Sequence, residues 1–217
     1  MLWHWVTLLG ALCVGSLGCP QIVSRVQWKA SRSGCLKTFR KPVDTAVVHH
    51  TESTACTSSV SCRRQVKVIQ DFHRGPSKKW CDIGYNFLIG EDGQVYEGRG
   101  WRTVGAHAGP GWNGRSLGIA FLGDYVLKGH RDFVATSCPG QALYDVIRHW
   151  PHFKASFKSR VPNAKAQAAL KSLLSCAVQR GSLGSDYVLK GHRDFVATSC
   201  PGQALYDVIR HWPHFKA

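Results

Sequence analysis

Histidine and cysteine recur in this chain at one fixed spacing. The stretch GHRDFVATSCPG occupies residues 129–140 and again, letter for letter, residues 191–202. Each copy sets a histidine eight positions before a cysteine, His130 before Cys138 and His192 before Cys200, across a polar loop closed by Pro-Gly. A neutral imidazole and a thiolate are strong zinc donors, and a loop between them lets both turn toward one ion. Two donors do not make a site. A third is available in VVHHTES, where His49 and His50 end an apolar run. Successive strand side chains point to opposite faces, so only one of these two can face the loop pair. Two imidazoles, one thiolate and a fourth position left for water is the pattern of catalytic zinc, whereas structural sites close all four positions. Zinc held in this way lowers the pKa of bound water toward ~7 and can also polarise a carbonyl.

The elements that must hold these residues can be read from the pattern around them. DTAVVHHT predicts a buried strand, because small and β-branched apolar residues precede a polar break. SVSCRRQVKVIQDFHRG places Val60, Val66, Ile69, Phe72 and His73 on a helical period stopped by Gly75 and Pro76, with Arg63, Arg64 and Lys67 on a solvated outer face. GYNFLIG and QVYEGRGW flank Glu-Asp-Gly, a hairpin signal. GRGWRTVGAHAGPGWNGRS predicts a long loop presenting Trp101, His107 and Trp112, and RSLGIAFLGDY another core strand. Residues 164–181, rich in Ala and Leu and closed by glycine, form the strongest helix pattern, and PGQALYDVIRHW opens with proline as the last helix. Residues 19–35 have the look of a lead-in arm.

The formal charge of +15 favours an anionic partner, either a membrane surface or an acidic cell-wall polymer. Nucleic acid is disfavoured, since no basic run with interleaved aromatics is present. Residues 1–18 carry an apolar core ending in small residues and read as a secretory signal; the run is shorter than the roughly 20 residues a membrane span needs. Export implies an oxidising compartment. Of the nine cysteines, Cys13 leaves with the signal and Cys138 and Cys200 are candidate ligands. Cys19, Cys35, Cys56, Cys62, Cys81 and Cys176 remain, an even set in which Cys56 and Cys62 make an obvious short loop and the other pairings stay open. The alternative fate of the two candidate ligands is a disulfide between copies, which would destroy the site.

The repeat is larger than the motif. Residues 124–155 and 186–217 are identical, whereas repeat architectures stack several diverged copies. Two identical copies read as a recent duplication or a gene-model error, and one strand slot admits only one of them. A parallel neighbour strand needs a crossover of about a dozen residues or more, usually a helix. The second copy follows the 164–181 helix, so its strand SDYVLKGHRD can return beside RSLGIAFLG. The expectation is therefore that 188–217 fills the native place, with 126–155 an inserted duplicate in one domain spanning 19–217. The competing expectation is that the first copy, with His130 and Cys138, takes the slot.

With VVHHT, CDIGYNFLIGEDGQVYEGRGW, GAHAG, SLGIAFLGDY and GHRDFVATSCPG in order, the chain resembles the peptidoglycan recognition proteins, closest to the short secreted type. The likeness runs from about Ile22 to Phe215 around the insertion. It implies an α/β fold, a central mixed β-sheet flanked by helices, shared with bacterial and phage zinc amidases. It implies binding of bacterial peptidoglycan and muramyl peptides in innate immunity, outside the cell. In members with a complete zinc site it implies hydrolysis of the amide between N-acetylmuramic acid and L-alanine; other members bind without cutting. By match to the family's motifs the zinc ligands are His49, His192 and Cys200, Tyr85 is the catalytic tyrosine, and Thr198 assists at the attacking water. The family pattern also implies the disulfides Cys56–Cys62, Cys35–Cys81 and Cys19–Cys176.

His50, His73, Trp101, His107 and Arg115 complete the candidate site as substrate contacts. Each has a plainer alternative. His50 and His73 fit equally as satisfied core or surface histidines, Trp101 as a packed aromatic, and Arg115 as a surface charge. His107 is a stronger candidate, since the family's groove passes its loop. Arg115 could pair with a diaminopimelate carboxylate, for which a planar guanidinium is suited. Arg102 and Thr103 match neither residue pair associated with the two stem-peptide classes.

Overall fold

The computed structural model describes residues 19–125 and 161–217. The expected signal at 1–18 and the expected insertion at 126–155, with His130 and Cys138, lie outside the described residues.

Strand β2, Val43–His50, is the spine of the sheet, and every residue in it but Asp44 is buried. Near-continuous burial is what a parallel strand covered on both faces requires. β2 pairs in parallel with β5 (Ser116–Phe121) on one side and with β6 (Leu183–Gly191) on the other. β3 (Phe87–Ile89) runs parallel to β5 and antiparallel to β4 (Val95–Glu97). β1 (Ile22–Val23) lies parallel to β4 at the edge. Among the described residues the order is β1-β4-β3-β5-β2-β6, a mixed sheet in an α/β fold. The hairpin between β3 and β4 turns where the Asp-Gly signal lies, and Gly93 adopts the left-handed φ of 79° that this turn demands.

Helices cover both faces, and a short helix α2, Pro110–Asn113, precedes β5. Helix α3, Ala164–Gln179, buries Ala166, Ala169, Leu170, Leu173, Leu174 and Ala177 against the face formed by Ala46, Val48, Ile119 and Leu189. The Asn163 side chain accepts the Ala166 N–H at 2.9 Å and so caps it. Each fully buried leucine contributes about 2 kcal/mol of transfer free energy, so this face holds the helix to the sheet. Helix α1, Ser59–Arg74, covers the other face. Its start is fixed by Ser58, whose hydroxyl accepts the Ser61 N–H, and its end by Gly75.

Three expectations are corrected. The inner stripe of α1 is Cys62, Val66, Gln70 and His73, while Val60 and Phe72 are 81% and 56% exposed. The rotation of the helix is set by anchors that hydrophobic periodicity does not register: the Cys56–Cys62 disulfide, and Gln70, which donates to Asp82 (2.7 Å) and accepts from Ser31 N–H (2.8 Å). The lead-in arm is part of the fold. It supplies β1, buries Trp28 with its indole N–H on the Glu97 carbonyl (2.9 Å), and pairs Arg25 with Asp82 at 2.8 Å. Finally, the strand after α3 does not lie beside β5. Both edges of β5 are taken by β2 and β3, so β6 adds to the free edge of β2.

The remaining disulfides, Cys19–Cys176 and Cys35–Cys81, tie the arm to α3 and the following loop to the start of the Tyr85 segment.

Candidate functional site

Alternation along β2 separates the two histidines. Val48 faces the α3 side, and His49 turns the other way, into a cleft of roughly 330 Å³ between α1 and the loop after β6. His50 points back; its ring lies 3.4 Å from Glu52 and 3.6 Å from Asp124, and its Nδ1 accepts the Tyr125 N–H. Its contribution to the site is a backbone N–H, which donates to Cys200 Sγ at 3.4 Å.

The chain after β6 is folded into the shape that two converging donors need. A 3-10 turn, His192–Asp194, follows Gly191 where sequence alone extends the strand. Asp194 accepts the Gly191 N–H (2.8 Å) and the Tyr206 hydroxyl (2.7 Å), the latter from α4, Gln203–Ile209. Arg193 donates its guanidinium to the Ser199 carbonyl and to Gln203, and its backbone N–H to the Cys200 carbonyl at 2.9 Å. These bonds close the loop on itself and bring His192 and Cys200 to His49. Cys200 Sγ stands 3.7 Å from His49 Nδ1, and one donor atom from each of the three residues lies within 4.8 Å of the others.

This donor set fits zinc. With bonds of about 2.0–2.1 Å to nitrogen and about 2.3 Å to sulfur, tetrahedral ligands stand some 3.5 Å apart. The imidazoles are ready as neutral ligands. Burial drives His49 well below the ordinary histidine value and lowers His192 as well. Cys200 is a free, buried thiol, pushed up to about 12 by burial and eased the other way by the His50 N–H, so a cation is what makes it a thiolate.

The other expected residues divide. Tyr85 is in the cleft, its ring 5.3 Å from that of His49; burial, with Cys200 and Glu52 adding to it, raises its phenol, which stays a proton donor. Thr198 is there too, its hydroxyl accepting the Cys200 N–H at 3.3 Å. His73 lines the wall, with Nδ1 accepting the Gly84 N–H at 3.1 Å, and burial lowers it to about 4. His107 lines the cleft but is 8% exposed, a correction to the expectation of a presented loop residue. Its backbone N–H and that of Ala108 both donate to Asn113 Oδ1 at 2.9 Å, which draws the loop inward. Burial lowers its ring to about 3, while the Ser116 backbone favours a proton on it.

Two candidates lie elsewhere. Trp101 packs on Phe87 (ring centroids 4.3 Å) on the α3 side of the sheet, under Arg180. Arg115 pairs with Asp44 at 2.7 Å, near the opposite end of β2 from His49. Sequence reasoning missed Trp80 and Lys78, which line the cleft beside His73; the Trp80 and His73 rings are 4.7 Å apart. Their stretch, GPSKKW, lies beyond the end of α1 and has no periodicity to single it out.

Comparison with known proteins finds relatives along most of the chain. Residues 39–203 match the family described as N-acetylmuramoyl-L-alanine amidase. The chain is 42% identical over 213 residues to peptidoglycan recognition protein 1 of Bos indicus, covering 98% of this chain and 94% of that protein. It is 38% identical over 204 residues to a Homo sapiens protein named N-acetylmuramoyl-L-alanine amidase, covering 93% of this chain and 30% of that longer protein. Among solved structures, human PGRP-IBETAC in complex with glycosamyl muramyl pentapeptide superposes with a TM-score of 0.72 at 36% identity, covering 92% of this chain and all of that one (100%).

Proposed function

The chain belongs to the N-acetylmuramoyl-L-alanine amidase family, among its peptidoglycan recognition proteins, and from that membership we propose that it binds peptidoglycan and hydrolyses the amide between N-acetylmuramic acid and L-alanine. The observation that carries the reading is the convergence of His49, His192 and Cys200 in a cleft that also holds Tyr85 and Thr198. The three converging residues would hold zinc, which supplies Lewis acidity that activates water near neutral pH and polarises the scissile carbonyl.

The chain's own groups do the rest. Tyr85 keeps its proton, and its hydroxyl donates a hydrogen bond to the carbonyl oxygen as negative charge develops there. The Thr198 hydroxyl, oriented by the Cys200 N–H, is placed to accept from the attacking water. Trp80, His73 and Phe72 form the apolar and aromatic wall against which a glycan or stem peptide packs. The +15 charge favours encounter with an anionic cell wall.

We place the protein outside the cell, in innate immune defence: the three disulfides among the described residues are chemistry of an oxidising compartment. Among the described residues no helix is long and apolar enough to cross a membrane. The copy at 188–217 supplies the site, and 126–155 is the inserted duplicate.

The second reading, a recognition protein that binds without cutting, is favoured by one observation: the relative at 42% identity is named for recognition, and the amidase relative is 38% identical. Incubation of the purified protein with a muramyl peptide, with and without a zinc chelator, followed by mass spectrometry, decides between them. Chelator-sensitive release of the peptide from muramic acid is expected. Binding without release by a folded, zinc-loaded protein would leave the recognition reading.

A further inference from the structure

Two imidazoles meet at the back of the zinc cluster. His49 Nε2 and His107 Nδ1 are 3.0 Å apart, with their rings nearly perpendicular at 84°. Both are buried, His49 at 1% exposure and His107 at 8%. Two neutral ring nitrogens at that distance share one proton, and which ring owns it fixes both tautomers. If His107 donates from Nδ1, His49 must carry its own proton on Nδ1, the atom that faces Cys200 Sγ at 3.7 Å. If His49 donates from Nε2, its Nδ1 is bare, and the proton of His107 sits on Nε2, which makes no hydrogen bond among the described residues, although the Ser116 backbone favours a proton on the ring.

The fold makes a place for this second ring. A Cβ on Gly118 would stand 2.4 Å from His107 Cγ and Cδ2, and one on Gly105 would stand 2.4 Å from Cδ2. Neither glycine has positive φ, so space, and not backbone conformation, is what these positions provide. Gly118 lies in β5 opposite Val47 of β2, so the ring is seated on the sheet next to the strand that carries His49. Asn113 anchors the loop from the other side through two backbone N–H groups.

We propose that His107 is a positioning residue for the metal centre: it accepts the Nε2 proton of His49 and holds that ring in the tautomer whose Nδ1 is free for zinc. The proposal rests on the zinc reading above and adds to it the group that orients a ligand. Partners of this kind typically change metal affinity by about 10–100-fold.

The test is zinc affinity by competition with a chromophoric chelator, alongside nitrogen-15 NMR of the histidine rings in the metal-free protein. His107→Leu, which cannot accept, and Gly118→Ala, which fills the seat of the ring without touching His49, should each weaken zinc about 10–100-fold. His107→Gln, whose carbonyl can accept from His49, should recover most of that loss, which a purely structural role would not give. NMR should place the His49 proton on Nε2. Unchanged zinc affinity in both His107→Leu and Gly118→Ala would overturn the proposal, as would a His49 proton on Nδ1. If His107→Leu fails to fold, the wild-type spectrum decides. If the wild type binds no zinc, the zinc reading fails by itself, and the same spectrum still reports which ring owns the proton.

Discussion

Cys200 Sγ lies 3.7 Å from Nδ1 of His49, although 151 positions separate them in the chain. β2 carries one, the loop beyond β6 carries the other, and β6 reaches the free edge of β2 only after the α3 crossover. The contact therefore depends on which copy of the duplicated segment enters the sheet.

That dependence gives the first prediction. His192→Ala removes a donor from the cluster and should abolish stoichiometric zinc binding, whereas His130→Ala should leave it unchanged. Zinc content after dialysis, measured by atomic emission, separates the two. Loss of zinc in His130→Ala with retention in His192→Ala would give the site to the first copy.

Tyr85→Phe keeps the ring beside His49 and removes only the donor. Loss of one such oxyanion donor costs about 10²–10³ in kcat, so hydrolysis should fall by that factor with zinc affinity unchanged. Steady-state turnover of a muramyl peptide, paired with chelator competition, checks both halves. An unaltered kcat would remove Tyr85 from the mechanism.

His73 makes stability depend on pH. It titrates near the ordinary value of about 6.5 when unfolded and at about 4 when buried in the fold, with Lys78 and Arg99 adding to the effect of burial and Asp82 opposing it. The unfolded chain thus takes up a proton that the native chain refuses. Stability should be complete above pH ~6.5 and fall as pH drops from there toward ~4. His73→Gln should flatten that fall by up to about one proton in urea titrations at pH 7.5 and 5. An identical slope in the variant would show that His73 is not the group responsible.

The Cys19–Cys176 disulfide joins the arm to α3 across 157 positions. Replacing both cysteines by alanine should cost about 2–5 kcal/mol in equilibrium unfolding, a range typical of native bridges. It should free the arm to proteolysis while zinc binding is retained. A cost below about 1 kcal/mol would mean that β1 and Trp28 hold the arm unaided.

Much of this protein was legible in the chain itself. The buried strand ending in two histidines, the Asp-Gly hairpin, the Ala- and Leu-rich helix and the His-to-Cys loop all rest on local signals, period and turn chemistry, and each appears where those signals lie. Period-two alternation also separates His49 from His50 without any knowledge of the fold.

Tertiary structure decided what depends on residues distant in sequence. The rotation of α1 follows from Gln70 meeting Asp82 and Ser31, the neighbour of β6 from which strand edges were already taken, and the arm's strand from a parallel edge too short to leave a periodic trace. It also carried Trp101 and Arg115 away from the cleft and drew His107 into it. The physical reason is the same throughout: a sequence pattern records which face of an element is apolar, while the partner of a polar side chain is set by whatever the packed elements bring within about 3 Å.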